Sequence, residues 1–235
     1  MKIGTQEIVS WTDDKGGEKM SNLIREIKKC SCCEKESEQI IVASTNTFGG
    51  SPDLDLRPPE MKRGTMPYWV QMCPHCQYVA VDIEKAQSFD KGILEQEEYK
   101  KCGNMKLPDE LSKMFYRYYL IALSRGDVSS AFNGIRNAAW ACDDMSSEEC
   151  ARTCRELGIG LLNNLIEVEE NPKIKESMLS VKADMLRRIE RFDELMFEYS
   201  NLAINEEIIQ KIISFEIERA RVKDSSTYTI KDAIK

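Results

Sequence analysis

Histidine is scarce in this chain, since His75 is the only one among 235 residues. A catalytic zinc held by three histidines is therefore excluded, and a serine triad would have to use that same residue. The sequence also lacks the Gly-x-x-x-x-Gly-Lys phosphate loop, the Gly-x-Gly-x-x-Gly dinucleotide motif and an Asp-rich calcium loop. These absences remove most hydrolase chemistry and the common nucleotide-binding loops, so we expect no enzymatic activity.

Long apolar runs and an excess of positive charge are missing as well. No stretch is apolar for long enough to cross a bilayer, and the first seven residues contain no signal-peptide core. We therefore expect no membrane association and a cytoplasmic location. Lys and Arg number 33 against 40 Asp and Glu, for a net charge of -7. Such an acidic chain makes nucleic acid an unexpected partner, because sequence-independent binding needs many phosphate contacts.

The chain does have nine cysteines, and four of them form two Cys-x-x-Cys knuckles. The first knuckle is Cys30-Ser31-Cys32-Cys33 and the second is Cys73-Pro74-His75-Cys76. In a reducing compartment, two such knuckles are typical of one tetrahedral zinc site. Cys32 could replace a neighbouring ligand, although two adjacent residues cannot easily chelate one tetrahedral metal. We predict one structural Zn²⁺ per chain, bound by Cys30, Cys33, Cys73 and Cys76.

The second knuckle also admits a redox interpretation. Cys73-Pro74-His75-Cys76 is the tetrapeptide of periplasmic disulfide oxidases with the thioredoxin fold. Those proteins need a βαβ frame around the motif and an oxidising compartment, whereas this chain shows a second Cys-x-x-Cys and a long helical region. A thiol-disulfide oxidoreductase is therefore the alternative to a zinc-binding protein.

The order of local signals predicts an α+β chain in three parts. Residues 1–25 are polar and are predicted to be a flexible leader. Residues 26–100 are predicted to form a small zinc-ribbon-like β module, in which β-rich runs flank both knuckles and a Gly- and Pro-rich loop covers 45–64. Residues 105–235 show helical periodicity throughout. We expect an all-α array of helical hairpins there.

Capping signals divide the helical part. Asp109 and Asp127 are placed to begin helices, Gly126 to end one, and Ser146-x-x-Glu149 has the spacing of a capping box. Turns at Gly126 and Glu190 lie 64 residues apart. This separation favours hairpins that repeat about every 32 residues, close to the tetratricopeptide period. The Trp-Leu-Gly-Tyr signature of that repeat is missing, so the array is predicted to be tetratricopeptide-like.

Two groups of residues are candidate binding surfaces. Arg57 and Arg63, with neighbouring aromatic residues, could hold a single-stranded nucleic acid by ion pairing and stacking. Asn133, Arg136 and Asn137 fall within about one helical turn and could line a groove that grips a peptide backbone or carboxylate. Anchoring of the loop and a solvated helix face are the respective alternatives.

The order of these parts resembles a bacterial family catalogued as domain of unknown function 2225. The resemblance covers most of the chain, from about Ile27 to the end, and depends on three stretches: Ser51 to Arg57, Pro67 to Ala80 around the second knuckle, and Tyr228 to Ala233. It implies zinc ligation by the knuckle cysteines and a tetratricopeptide-like C-terminal part, and it implies no activity. The chain departs from the family pattern at Gln77, where a glycine normally follows the knuckle, and at Cys32.

The preferred interpretation is a non-catalytic zinc-binding protein that serves as a scaffold for protein or peptide interaction. Stacked helical hairpins commonly present a concave face to partners. A homo-oligomer formed through the same apolar faces is the other expected use of the array. A zinc-ribbon protein that binds single-stranded nucleic acid is a further alternative.

Overall fold

The computed structural model describes residues 21–103 and 105–235, together with the backbone of the strand at Ile8–Val9. Most of the predicted leader, residues 1–25, lies outside the described residues. Its last residues do not, because a strand begins at Asn22. The strand at Ile8–Val9 also pairs with Leu23 and Ile24, so the β module includes part of the predicted leader and does not begin at residue 26.

The fold is α+β, as predicted, and its N-terminal part consists of two small antiparallel sheets. In the first sheet the strand order is β1-β2-β3, and Ile24 of the middle strand pairs with Ile41 of the third. The second sheet is a short hairpin in which Gln71 pairs with Ala80. The strands are β1 (Ile8–Val9), β2 (Asn22–Lys29), β3 (Glu36–Ser44), β4 (Gln71–Met72) and β5 (Val79–Ala80).

The chain between the two sheets is more helical than its sequence indicates. Helix α1 (Glu60–Arg63) is followed by a 3-10 turn at Met66–Tyr68, so the predicted β-rich run from Tyr68 shortens to β4. Pro67 in that turn has no backbone N–H to give to a strand partner. Helix α2 (Glu97–Lys101) follows the second sheet and is too short to show periodicity in sequence.

Long antiparallel helices make up the rest of the described chain. Asp109 begins the first of them with a capping box, and Asp127 caps the second, as predicted. Gly126 ends the first at a φ of 71°, which costs glycine little. The helices are α3 (Glu110–Ser124), α4 (Val128–Asp144), α5 (Glu148–Val168), α6 (Pro172–Arg188), α7 (Phe192–Tyr199), α8 (Glu207–Arg221) and α9 (Ile230–Ala233).

The predicted capping box at Ser146 is wrong. Ser146 adopts a left-handed φ of 54° and closes α4, while Ser147 becomes the residue before α5 and makes no capping bond with its side chain. The N–H of Ser147 instead donates to Cys142 O at 2.9 Å. The same hydrogen bond, from an N–H to the carbonyl five residues earlier, joins Asp127 to Ala122 and Arg191 to Leu186. The end of one helix therefore decides where the next begins.

The C-terminal segment returns to the loop that connects the two sheets. Thr229 forms an isolated antiparallel bridge with Asp53, and the N–H of Leu54 donates to Tyr228 O at 3.0 Å. The N–H of Ile230 donates to Pro52 O at 2.8 Å. The loop predicted at 45–64 is thus anchored at its centre by residues from the far end of the chain.

Apolar packing joins the β module to the helices. Ile121 of α3 is completely buried against Cys30, Cys73 and Tyr78. Val79 packs with the apolar residues between α3, α4 and α5, and a separate core fills the space between α5, α6 and α8. The knuckles therefore pack against α3, the first long helix. No helix in the described ranges is both long and apolar enough to cross a membrane.

Gly134 marks the closest approach of α3 and α4. A Cβ atom at this position would lie 3.0 Å from Tyr119 N and 3.1 Å from Tyr118 Cδ1. We expect Gly134→Ala to lower the free energy of unfolding by about 1–3 kcal/mol, because the helices must separate. Gly160→Ala on α5 is the control, since no atom lies within 4 Å of its Cβ position. It should raise stability by up to about 1 kcal/mol. Urea unfolding of both variants measures the difference, and equal effects would contradict this packing.

Candidate metal centre

The two cysteine knuckles have the same backbone turn. The first connects β2 to β3, and the second connects β4 to β5. In the first, the N–H of Glu34 donates to Cys30 O at 2.8 Å; in the second, the N–H of Gln77 donates to Cys73 O at 2.8 Å. Glu34 and Gln77 both take positive φ, at 61° and 59°. Gln77, the predicted departure from the family pattern, therefore keeps the left-handed turn without a glycine.

The turns direct four sulfur atoms to a common centre. The Sγ atoms of Cys30, Cys33, Cys73 and Cys76 all lie within 4.8 Å of one another. Cys30 Sγ is 3.8 Å from Cys76 Sγ, and Cys33 Sγ is 3.6 Å from Cys73 Sγ. With Zn–S bonds of about 2.3 Å, the edge of a tetrahedron is about 3.8 Å. The cluster could therefore hold a metal ion of that coordination.

Each of these sulfur-to-sulfur distances joins one knuckle to the other. All nine cysteines lie in the described residues, and all are free thiols. These two approaches connect the first hairpin to the second, whereas the redox interpretation needs a bond between Cys73 and Cys76. A single ion bound by all four sulfurs would fasten the two hairpins together. Four sulfur ligands would leave no position for a reactive water, so such an ion would be structural.

The protonation of the cluster depends on whether a cation is bound. Cys30 and Cys73 are completely buried, and the other two cysteines of the cluster are half-buried. Burial raises the pKa of the Cys30 thiol and that of the Cys76 thiol, because a thiolate loses its hydration there. A bound dication would reverse this effect by stabilising the deprotonated sulfurs.

His75 and Cys32 lie beside the cluster without joining it. His75 is exposed, and its Nε2 lies 3.1 Å from Glu36 O, so it holds the second knuckle against β3. Cys32 is half-buried, and its carbonyl accepts a hydrogen bond from Lys91 Nζ at 2.9 Å. The group of converging sulfur atoms does not include Cys32.

Residues outside the knuckles hold the turns in place. Tyr99 of α2 donates from its hydroxyl to Gln77 O at 2.7 Å. The N–H of Ser31 donates to Ile83 O at 2.8 Å. Sequence reasoning missed both supports. Tyr99 is an ordinary aromatic residue in sequence, and only the packing of α2 against the second hairpin gives it this role.

Comparisons of the chain with protein-family profiles, with curated proteins and with solved structures return no significant match. The resemblance to domain of unknown function 2225 stays a prediction. What the protein does has to be inferred from the chemistry of its own residues.

The two arginines predicted as a nucleic-acid surface are engaged within the protein. Arg57 is buried, and its Nη2 lies 2.5 Å from Asp144 Oδ2. Arg63 pairs with Asp53 at 2.8 Å and donates to Pro58 O at 3.1 Å. Their guanidinium groups anchor the connecting loop. Phosphate binding by these residues would require those contacts to break.

The other predicted group, on α4, has a different environment. Asn133, Arg136 and Asn137 all border a cleft of about 620 Å³ between α4 and the β module. Arg136 Nη2 lies 3.1 Å from Asn133 Oδ1. The Arg136 guanidinium stacks on the Trp140 ring at 4.7 Å and on the Phe132 ring at 5.1 Å. The structure thus brings this group together on one helix face.

A buried charge cluster beneath that cleft was not predicted. Asp55 from the connecting loop accepts from Trp140 Nε1 at 2.6 Å and from Arg188 Nη1 at 3.3 Å. Asp143 pairs with Arg188 at 2.9 Å and also with Arg155. The pKa of Asp55 is lowered because these arginines outweigh the opposing effect of its burial. No local motif signals the cluster, since its members come from four separate segments.

Proposed function

We propose that the protein is a non-catalytic zinc-binding scaffold, in which a ribbon-like module supports a helical array that docks a protein or peptide. The convergence of the four knuckle sulfurs carries the metal part of this proposal. Zinc is the metal of choice because four thiolates in a tetrahedron suit its size and softness. The tetratricopeptide-like character of the array, a cytoplasmic location and the family resemblance belong to the same proposal.

Docking is supported by the arrangement of the long helices. They are stacked as antiparallel neighbours, an architecture that exposes helix faces beyond those needed for the core. A cleft of about 620 Å³ lies where this array meets the β module, within the size range of ligand sites. Binding a partner on these exposed helix faces requires no catalytic residues, so it is the use of the helices that we propose.

The proposal is tested by metal content and thiol chemistry measured together. Protein purified without added metal should contain about one zinc per chain and should not catalyse insulin reduction. Cys73→Ser should lose the metal, whereas a thiol oxidoreductase would lose turnover while keeping its fold. A stoichiometric Cys73–Cys76 disulfide in the purified protein would overturn the zinc proposal and favour the redox alternative.

The scaffold part is tested separately by partner capture from the source cell. Immobilised wild-type protein should retain a reproducible set of proteins that metal-free protein does not retain. Capture of no partner at any salt concentration would contradict the scaffold proposal and leave the metal site unaffected.

A further inference from the structure

Two neighbouring clefts run along α4 and share part of their walls. The larger one, about 620 Å³, lies between α4 and the β module; the smaller, about 250 Å³, lies between α4, α5 and α6. Leu56, Asn133 and Arg136 border both. We call this continuous depression the α4 groove. Arg136 therefore lies at its middle, where the two clefts meet.

Arg136 forms no direct ion pair in the described part of the chain, and the buried carboxylate of Asp55 acts on its charge only through space. The arginines below it, Arg155 and Arg188, each form ion pairs with Asp143. Arg136 makes none: it stacks on two rings, lies in hydrogen-bond distance of Asn133, and its buried Nε has no partner there. A partly buried guanidinium without a direct ion-pair partner is costly, so an incoming anion would be stabilised at this position.

Asn137 adds a second unpaired polar group to the groove. Its Oδ1 atom is buried and has no hydrogen-bond partner among the described residues. Asn137 follows Arg136 directly and borders the larger cleft. An amide oxygen in this position suits a backbone N–H, the donor that an extended peptide offers at every residue except proline.

Most side chains that border the α4 groove are apolar. The charged ones are positive, opposite in sign to the net charge of the whole protein. Lys62 and Arg136 are the charged residues that border the two clefts, and neither cleft is bordered by Asp or Glu. The chain as a whole carries a net charge of -7. Apolar side chains surround the two cations, including Leu162, Leu165 and Met178 in the smaller cleft and Tyr68, Trp69 and Val70 in the larger.

We propose that the α4 groove binds an extended segment of a partner protein in which one Asp or Glu side chain lies between apolar residues. This deepens the scaffold proposal and rests on it. The carboxylate pairs with Arg136, and Asn137 accepts a backbone N–H of the segment. Because Arg136 is central and apolar surface continues on both sides, an internal side chain fits better than a chain terminus. Nucleic acid is disfavoured, since two cations are too few for a phosphate track.

The test uses synthetic peptides and the metal-loaded chain of residues 1–235. An array of ten-residue peptides carries Asp, Asn or Lys at a fixed central position, with apolar-biased random residues around it. The tightest Asp peptide is then labelled and titrated by fluorescence anisotropy. We expect it to bind at least about tenfold more tightly than its Asn counterpart, a typical effect of one charge-assisted pair.

Variants connect that preference to the groove. Arg136→Gln should abolish the difference between Asp and Asn peptides, Arg136→Lys should retain part of it, and Lys62→Glu should weaken Asp-peptide binding. Arg221→Gln changes an exposed arginine on α8 and should have no effect. If Arg136→Gln fails to fold, Lys62→Glu at the exposed end of the groove still tests whether the positive charge of the groove selects the Asp peptide.

Four results would overturn the inference. One is equal binding of Asp and Asn peptides; another is a preference that survives both Arg136→Gln and Lys62→Glu. The third is a dimer that Arg136→Gln dissociates and that peptides cannot enter, which would assign the groove to a second copy. Partner capture from the source cell that is unchanged by Arg136→Gln would sink this inference while the scaffold proposal stands.

Discussion

Removal of the metal is expected to unfold the β module and to loosen α3. A structural zinc contributes on the order of 10 kcal/mol to the folding of a small domain. The two hairpins are short, and β4 and β5 have only two residues each. Without an ion, the two hairpins would be connected only through four thiols within 4.8 Å of one another and their apolar packing with Ile121 of α3. Chelation should therefore expose the module to limited proteolysis and lower the melting temperature in circular dichroism.

Cys73→Ser and Cys32→Ser form the matched pair for this prediction. Cys73 is completely buried and belongs to the sulfur cluster, whereas Cys32 is half-buried and does not. The first variant should lose the metal and the resistance to proteolysis. The second should keep about one metal ion per chain. Equal metal content in the two variants would show that the cluster is not the binding site.

Loss of Arg187 is expected to have the second-largest effect. This residue of α6 is completely buried and pairs with Asp184 at 2.9 Å and with Glu216 of α8. It also donates to the carbonyls of Asp224 and Ser226 in the C-terminal segment, at 2.9 and 2.7 Å. Arg187→Met leaves the carboxyl groups of Asp184 and Glu216 buried without this partner, so stability should fall by about 3–5 kcal/mol. Urea unfolding monitored by circular dichroism measures the loss.

Glu216→Gln is the informative control at the same site. Burial and the neighbouring carboxyl of Asp184 raise the pKa of Glu216 to about 8. Both effects favour the protonated acid, whose shape and charge glutamine copies. We expect a change within about 1 kcal/mol for this variant. Arg221→Met on the surface of α8 should be equally mild, and a loss of similar size at Arg187 and Arg221 would contradict the role given to the buried cluster.

The four clustered cysteines are the part of the candidate site that sequence predicts best. Each Cys-x-x-Cys knuckle is a local turn, so residue spacing alone places two sulfurs on the same side of it. That Cys30 lies beside Cys76, and Cys33 beside Cys73, depends on how two hairpins separated by a long loop pack together. The choice of Cys33 over Cys32 follows from the first turn, which closes at Glu34.

Helix starts were predicted correctly where the residue before the helix caps it with its own side chain. The prediction was wrong where the end of one helix and the start of the next involve the same residues. Asp109 and Asp127 cap α3 and α4 with their own side chains, as their sequence positions indicate. Ser146 matches the capping-box spacing equally well, yet the closure of α4 takes that residue for a left-handed turn. Propensity is a local quantity, whereas this boundary depends on the preceding helix.

Sequence by itself determined the elements whose energetics are local: the knuckles, the capped helices and the α+β order of the chain. Tertiary structure decided what the connecting loop does, because Asp55 and Arg57 find their partners on α4 and α6 only after the helices have packed. It also decided which of the predicted arginines form direct ion pairs. Arg57 and Arg63 are paired, whereas Arg136 faces a cleft, and residue type cannot distinguish them. Long-range electrostatics depends on distances that only the fold sets.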